Sequence, residues 1–103
     1  MEKLVRNGQV AILYSPGYGA GWSSWGEPWM ATDRRLIEAY EAGKDVAALA
    51  EQIGRDDHQL DYVCVLGATD LTVEWLPEGT AYRIREYDGS ESVETTSVLD
   101  QIA

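Results

Sequence analysis

The chain has 103 residues, 18 of them acidic and 8 basic, for a net charge of −10 and a sequence pI near 4.3. That length corresponds to one domain, 1–103, and an apolar share of 45% is enough for one core. The acidity excludes duplex DNA, RNA and anionic membrane surfaces as partners, since phosphate binding needs a basic footprint; a basic partner is permitted.

One cysteine, Cys64, excludes an intrachain disulfide and a cysteine-rich metal module. The opening MEKLVRNGQVAILY is too polar for a signal peptide. No apolar run approaches the roughly 18 residues of a membrane span. A soluble intracellular protein is expected.

Residues 2–14 read as a β-hairpin, with strands 2–6 and 9–14 around Asn7-Gly8, a strong two-residue turn signal. Val10, Ile12 and Tyr14 share one face of the second strand and Ala11 and Leu13 the other. Both faces are apolar, which places that strand inside a sheet. Residues 15–31, SPGYGAGWSSWGEPWMA, hold four glycines and two prolines and keep neither helical nor strand periodicity. Residues 32–54 read as two helices, capped by Thr32 and Asp45 and ended by Gly43 and Gly54. Their apolar positions are Leu36, Ile37 and Tyr40, then Val46, Leu49, Ala50 and Ile53. The second helix has no basic face, so the pair covers a sheet rather than reading DNA. Residues 60–96 read as strands at 61–66, 71–76, 80–87 and about 91–96, with turns at Pro77-Glu78-Gly79 and Asp88-Gly89. The expected fold class is α+β: an antiparallel or mixed sheet of five to six strands with two helices on one face.

Catalysis finds little support. His58, the one histidine, lies in the acidic turn RDDHQLD, and Cys64 stands among Val63, Val65 and Leu66, where nothing lowers a thiol pKa. Asp56, Asp57, His58 and Asp61 match no EF-hand spacing and read as a solvated turn. No catalytic residue, metal or cofactor is expected.

The segment from Tyr14 to Met30 carries five of the ten aromatic residues. Gly17, Gly19 and Gly21 alternate through it, but Trp22 stands where G-x-G-x-x-G needs glycine. Between Lys3 and Lys44 there is no lysine to complete a phosphate loop. What remains is a glycine loop bearing Tyr18, Trp22, Trp25 and Trp29, rings suited to stacking on a flat ligand or anchoring a protein partner. The competing reading is that these rings fill a core lacking phenylalanine; yet a long irregular loop in a compact domain is usually functional. Residues 1–35 carry four basic and three acidic side chains, whereas residues 36–103 carry four basic and fifteen acidic. Arg34 and Arg35 thus flank the loop in the part of the chain not dominated by carboxylates, where a small anion is tolerated. The candidate ligand- or partner-binding set is Tyr14, Tyr18, Gly19, Gly21, Trp22, Trp25, Trp29, Arg34 and Arg35.

VAILYSPGYGAGWSSW, residues 10–25, resembles a segment of a group of small uncharacterised proteins carried by tailed bacteriophages and prophages. EWLPEGTAYRIREYDGSESVE, residues 74–94, is similar to the same group's C-terminal hairpins. The resemblance implies a virus-encoded accessory protein in the cytoplasm of a bacterial host, a setting in which small acidic proteins antagonise defence systems. It transfers no role to any residue. Two functions follow as expectations. One is a non-enzymatic inhibitor that docks its acidic surface and Gly/Trp loop on a host defence protein or complex. The other is a sponge that holds a cyclic nucleotide or ADP-ribose-type signal at the loop. A phage assembly module is a third expectation, and the aromatic loop equally suits a homodimer contact.

Overall fold

The computed structural model describes residues 3–96 and 101–103; the expected start of the first strand at residue 2 lies outside them. Val5–Arg6 (β1) and Gln9–Tyr14 (β2) pair with Arg6 opposite Gln9, leaving Asn7 and Gly8 as the turn at φ 53° and 75°. Two positive φ values are what a type I′ hairpin requires, which is why Asn-Gly marks it. The other edge of β2 pairs antiparallel with Thr72–Pro77 (β3). A second antiparallel sheet has Ala81–Tyr87 (β4) between Ser90–Thr95 (β5) and Gln101–Ile102 (β6).

The class is α+β, but the single sheet of five to six strands is replaced by two sheets of three strands. The cause lies in β2. Ala11 and Leu13 join one core cluster, with Trp22, Trp29, Met30, Leu36, Ile37 and Ile53. Val10 and Ile12 join another, with Ala31, Leu76, Tyr82 and Ala103. A strand apolar on both faces needs cover on both sides. Helices on one face of a single sheet would leave Val10 and Ile12 in water, so the C-terminal hairpin covers them as a second layer.

Arg34–Glu41 (α1) and Val46–His58 (α2) correspond to the two expected helices, with two shifts at their ends. Thr32 does not cap α1; its N–H is donated to the Trp29 carbonyl, ending a short 3-10 turn over Pro28–Ala31. The cap therefore moves to Asp33, whose carboxylate accepts from the Arg35 N–H at 2.9 Å. Asp45 caps α2 as expected, accepting from Ala48 N–H at 3.0 Å. Gly54 does not end α2, which runs on to Gln59 in the left-handed region. Any side chain at position 54 would collide with Val63 Cγ2, so this glycine serves close approach rather than termination. The expected strand over 61–66 is also absent. Val63 is buried beneath α2 while the segment pairs with no strand, and a 3-10 turn follows at Leu66–Asp70. A short apolar run signals burial, not pairing.

Candidate functional site

The irregular stretch after β2 is ordered by a residue 76 positions away from its first. Side chains alternate along β5, which puts Glu91 and Val93 on the face turned toward the first sheet. Glu91 is 2% exposed. Its Oε1 accepts from the Ser15 N–H at 2.9 Å, and its Oε2 accepts from the N–H groups of Trp22 at 2.7 Å and Ser24 at 2.9 Å. The Ser24 hydroxyl also donates to Oε2. Three converging backbone N–H groups form an anion nest, and the chain fills it with its own carboxylate. The strand backbone adds a further tie, Glu91 N–H to the Ser15 carbonyl at 2.7 Å.

The turn between β4 and β5 closes on the same loop. Asp88 and Gly89 adopt φ 50° and 84°, repeating the type I′ geometry. The Asp88 carbonyl accepts from Gly19 N–H at 2.9 Å, and Ser90 Oγ donates to the Pro16 carbonyl at 2.6 Å. The Leu66–Asp70 turn also packs against the loop, with Gly67 on the Gly21 backbone and the Asp70 carboxylate against Gly17. Residues 15–26 are therefore held by contacts with two other segments.

This packing sorts the candidate residues. Trp22 is fully enclosed, and its Nε1 donates to the Met30 carbonyl at 2.8 Å. Trp29 is buried, its ring stacked on His58 at 4.4 Å between centroids and 8° between planes. Both rings belong to the core, as the competing reading had it. Tyr14 ends β2 half-buried, and its phenol pKa is raised by burial and then by Glu74. Gly19 and Gly21 shape the backbone; a side chain at 21 would meet Ser24 Oγ and Trp25 Cδ1. Tyr18, at 77% exposure, and Trp25, at 41%, are the two candidate rings presented to solvent.

The flanking arginines are engaged elsewhere. Arg35 contacts Asp33 and Asp57, each at 2.8 Å, and both carboxylates raise its pKa. Arg34 reaches Glu38 at 3.3 Å along α1. Each guanidinium meets acid on the helices, so an anion at the loop would compete with carboxylates already in place. The hollow beside the loop, lined by Ser23, Ser24, Pro28 and Tyr82 among others, has a volume of about 150 Å³. That is half of the roughly 300 Å³ at which small-molecule sites begin. A larger hollow of about 450 Å³ lies between Lys44–Ala47 and Ala68–Thr69 and holds none of the candidate residues.

Comparison with known protein families, curated proteins and solved structures finds no match.

Among the described residues no three His, Cys, Asp or Glu side chains gather as a metal site. The expected acidic turn is instead the last turn of α2, where Asp57 pairs with Arg35 and His58 stacks on Trp29. Among them, too, no helix is long and apolar enough to cross a membrane. Two residues at this end escaped sequence reasoning. Glu91 gave one signal, an acid in register with inward-facing Val93. Leu66, 63% exposed, opens the Leu66–Asp70 turn rather than closing a strand, and Tyr87, 79% exposed, ends β4 as the strand reading had it.

Proposed function

We propose that the chain is a non-enzymatic binding protein of the bacteriophage accessory type, which inhibits a bacterial defence complex by docking on it. The observation that carries this reading is the presentation of Tyr18 and Trp25 to solvent on a backbone locked by Glu91. Exposed aromatic rings on a rigid support lose little entropy on contact, which is how interface anchors work. The net charge of −10 steers the molecule toward a basic surface, such as a nucleic-acid channel. The engagement of Arg34 and Arg35 by carboxylates, together with the small hollow at the loop, supports a protein partner over a sequestered nucleotide.

The test is expression in bacteria that carry a CRISPR effector, a restriction enzyme or a cyclic-nucleotide defence, each challenged with a phage it restricts. The expected result is protection from a nucleic-acid-binding effector, lost in Tyr18→Ala/Trp25→Ala. The purified complex should weaken steeply between about 50 and about 200 mM salt. Protection from the cyclic-nucleotide system alone, with the melting temperature rising on addition of its nucleotide, would replace this reading with the sponge.

A further inference from the structure

β3 lies at the edge of its sheet, and among the described residues only β2 pairs with it. The register settles which groups line the outer side. Ala11 donates its N–H to the Leu4 carbonyl at 3.0 Å, so its backbone groups point toward β1. In antiparallel pairing both groups of a residue point the same way, and successive residues point oppositely. Trp75, opposite Ala11, and Val73, opposite Leu13, therefore turn their N–H and C=O groups away from β2. Among the described residues no other backbone group bonds to them. A six-residue edge of this kind is a template for a further strand, and Pro77 blunts only its end.

Glu74 stands between these two residues. Its backbone groups bond to β2, so it meets an added strand as a non-hydrogen-bonded pair, the kind in which side chains across the ladder come closest. It is exposed, as are Asp70 before the strand and Glu78 after it, and among the described residues it has no ion pair. The nearby cations lie on the helix face of the sheet, whereas Glu74 is opposite Ile12 and projects from the other face. Arg6 sits over the Trp75 ring at 5.5 Å and is held by Glu41 at 2.7 Å, and Lys44 lines the hollow of about 450 Å³. That hollow is also lined by Tyr40, Val46, Ala68 and Leu71, the last of which leads into β3. Leu71 packs against the helix-side core, so a residue added opposite it projects on the same face, toward the hollow. Two copies of the chain paired about Glu74 would set Glu74 against Glu74 and Asp70 against Glu78; a basic segment sets unlike charges there.

From this we infer that the outer edge of β3 is a docking site for an extended basic segment of the partner protein. The segment adds antiparallel, with lysine or arginine opposite Glu74 and a large apolar residue three positions later, opposite Leu71. The inference rests on the inhibitor reading and adds the way the partner is held. Backbone hydrogen bonds to Val73 and Trp75 supply affinity, and the pairs at Glu74 and Leu71 fix register and direction.

The test uses the full chain and short peptides of β-favouring residues, one with lysine three positions before leucine and one with those two exchanged. Hydrogen exchange at Val73 and Trp75 should be fast in the free chain and slowed by the first peptide. Calorimetry should show that peptide binding at least about fivefold tighter than the exchanged one. N-methylation of the residues on both sides of the lysine, which face Val73 and Trp75, should weaken binding about tenfold; N-methylation of the lysine itself should weaken it much less. Glu74→Lys should transfer the preference to a peptide with glutamate in place of lysine, with the melting temperature unchanged, because Glu74 is exposed. Equal affinity for the ordered and exchanged peptides, or binding that leaves exchange at Val73 and Trp75 unchanged, would overturn the inference. So would protection of those two groups that grows with protein concentration alone, the mark of a second copy on the edge. Phage protection lost in Tyr18→Ala/Trp25→Ala, with no peptide binding at β3, would retain the inhibitor reading and remove this one; peptide binding without phage protection would do the reverse.

Discussion

Replacing Glu91 by glutamine changes one oxygen into an NH2 group and removes one charge. If the amide oxygen keeps the place of Oε2, it still accepts from Trp22 N–H, Ser24 N–H and the Ser24 hydroxyl. The new NH2 group then points at Ser15 N–H, so two donors face each other where an acceptor stood 2.9 Å away. The remaining bonds lose their charge assistance. A hydrogen bond to a charged group contributes about 1.5–3 kcal/mol, and a buried donor left unpaired costs about 1–3 kcal/mol. Against these stands the desolvation of a carboxylate, several kcal/mol, which the substitution relieves. The net expectation is a loss of about 2–4 kcal/mol, or roughly 10–25 °C in melting temperature for a domain of this size. Urea denaturation followed by tryptophan fluorescence measures the first, and hydrogen exchange at Ser15, Trp22 and Ser24 locates it. The control is Glu94→Gln, whose ion pairs with Arg83 and Arg85 are long and exposed at 3.2 Å and should be worth less than about 1 kcal/mol. A Glu91→Gln protein within about 0.5 kcal/mol of the parent, or one with unchanged amide protection in the loop, refutes the reasoning.

Gly54→Ala should destabilise by about 1–2 kcal/mol despite its better helix propensity, because the new methyl meets Val63 Cγ2. In Gly54→Ala/Val63→Ala the combined loss should be smaller than the sum of the single losses, by thermal denaturation. Trp22→Phe should cost about 1–3 kcal/mol through the lost bond to the Met30 carbonyl and incomplete filling, whereas Trp25→Ala should leave stability within about 0.5 kcal/mol and impair partner binding. The raised pKa of Tyr14 means that the fold favours its neutral phenol. Its contribution is complete below the unfolded value near 10 and is lost as pH rises through the higher folded value. Tyr14→Phe should flatten stability in that alkaline window, read by denaturation at stepped pH, with one late phenolate removed from the absorbance titration.

Local chemistry made much of this fold readable. Asn7-Gly8 and Asp88-Gly89 announce their hairpins because few other pairs accept two positive φ values. Asp45 marks α2 because its carboxylate binds an otherwise orphaned N–H. The two apolar faces of β2 were visible, yet they say only that both need cover, not that one cover is a second sheet. Position 54 looked like a helix stop since glycine stops and glycine contacts read alike until Val63 is placed. The site divides similarly. That the Gly/Trp loop is unusual was legible; which rings face outward was not, because that depends on Glu91, 67 to 76 residues from the groups it binds. The Leu66–Asp70 turn meets the loop only through tertiary packing of Gly67 on Gly21, which no periodicity encodes.

The distance in sequence between Glu91 and its donors also sets an order of events. During synthesis residues 15–26 emerge well before Glu91, and until β5 pairs with β4 their N–H groups have water as their acceptor. Contacts of such separation form late, after the local hairpins and helices. The loop over 15–26 is thus the last part of the molecule to take shape, gaining its fixed backbone only when the C-terminal hairpin closes on it.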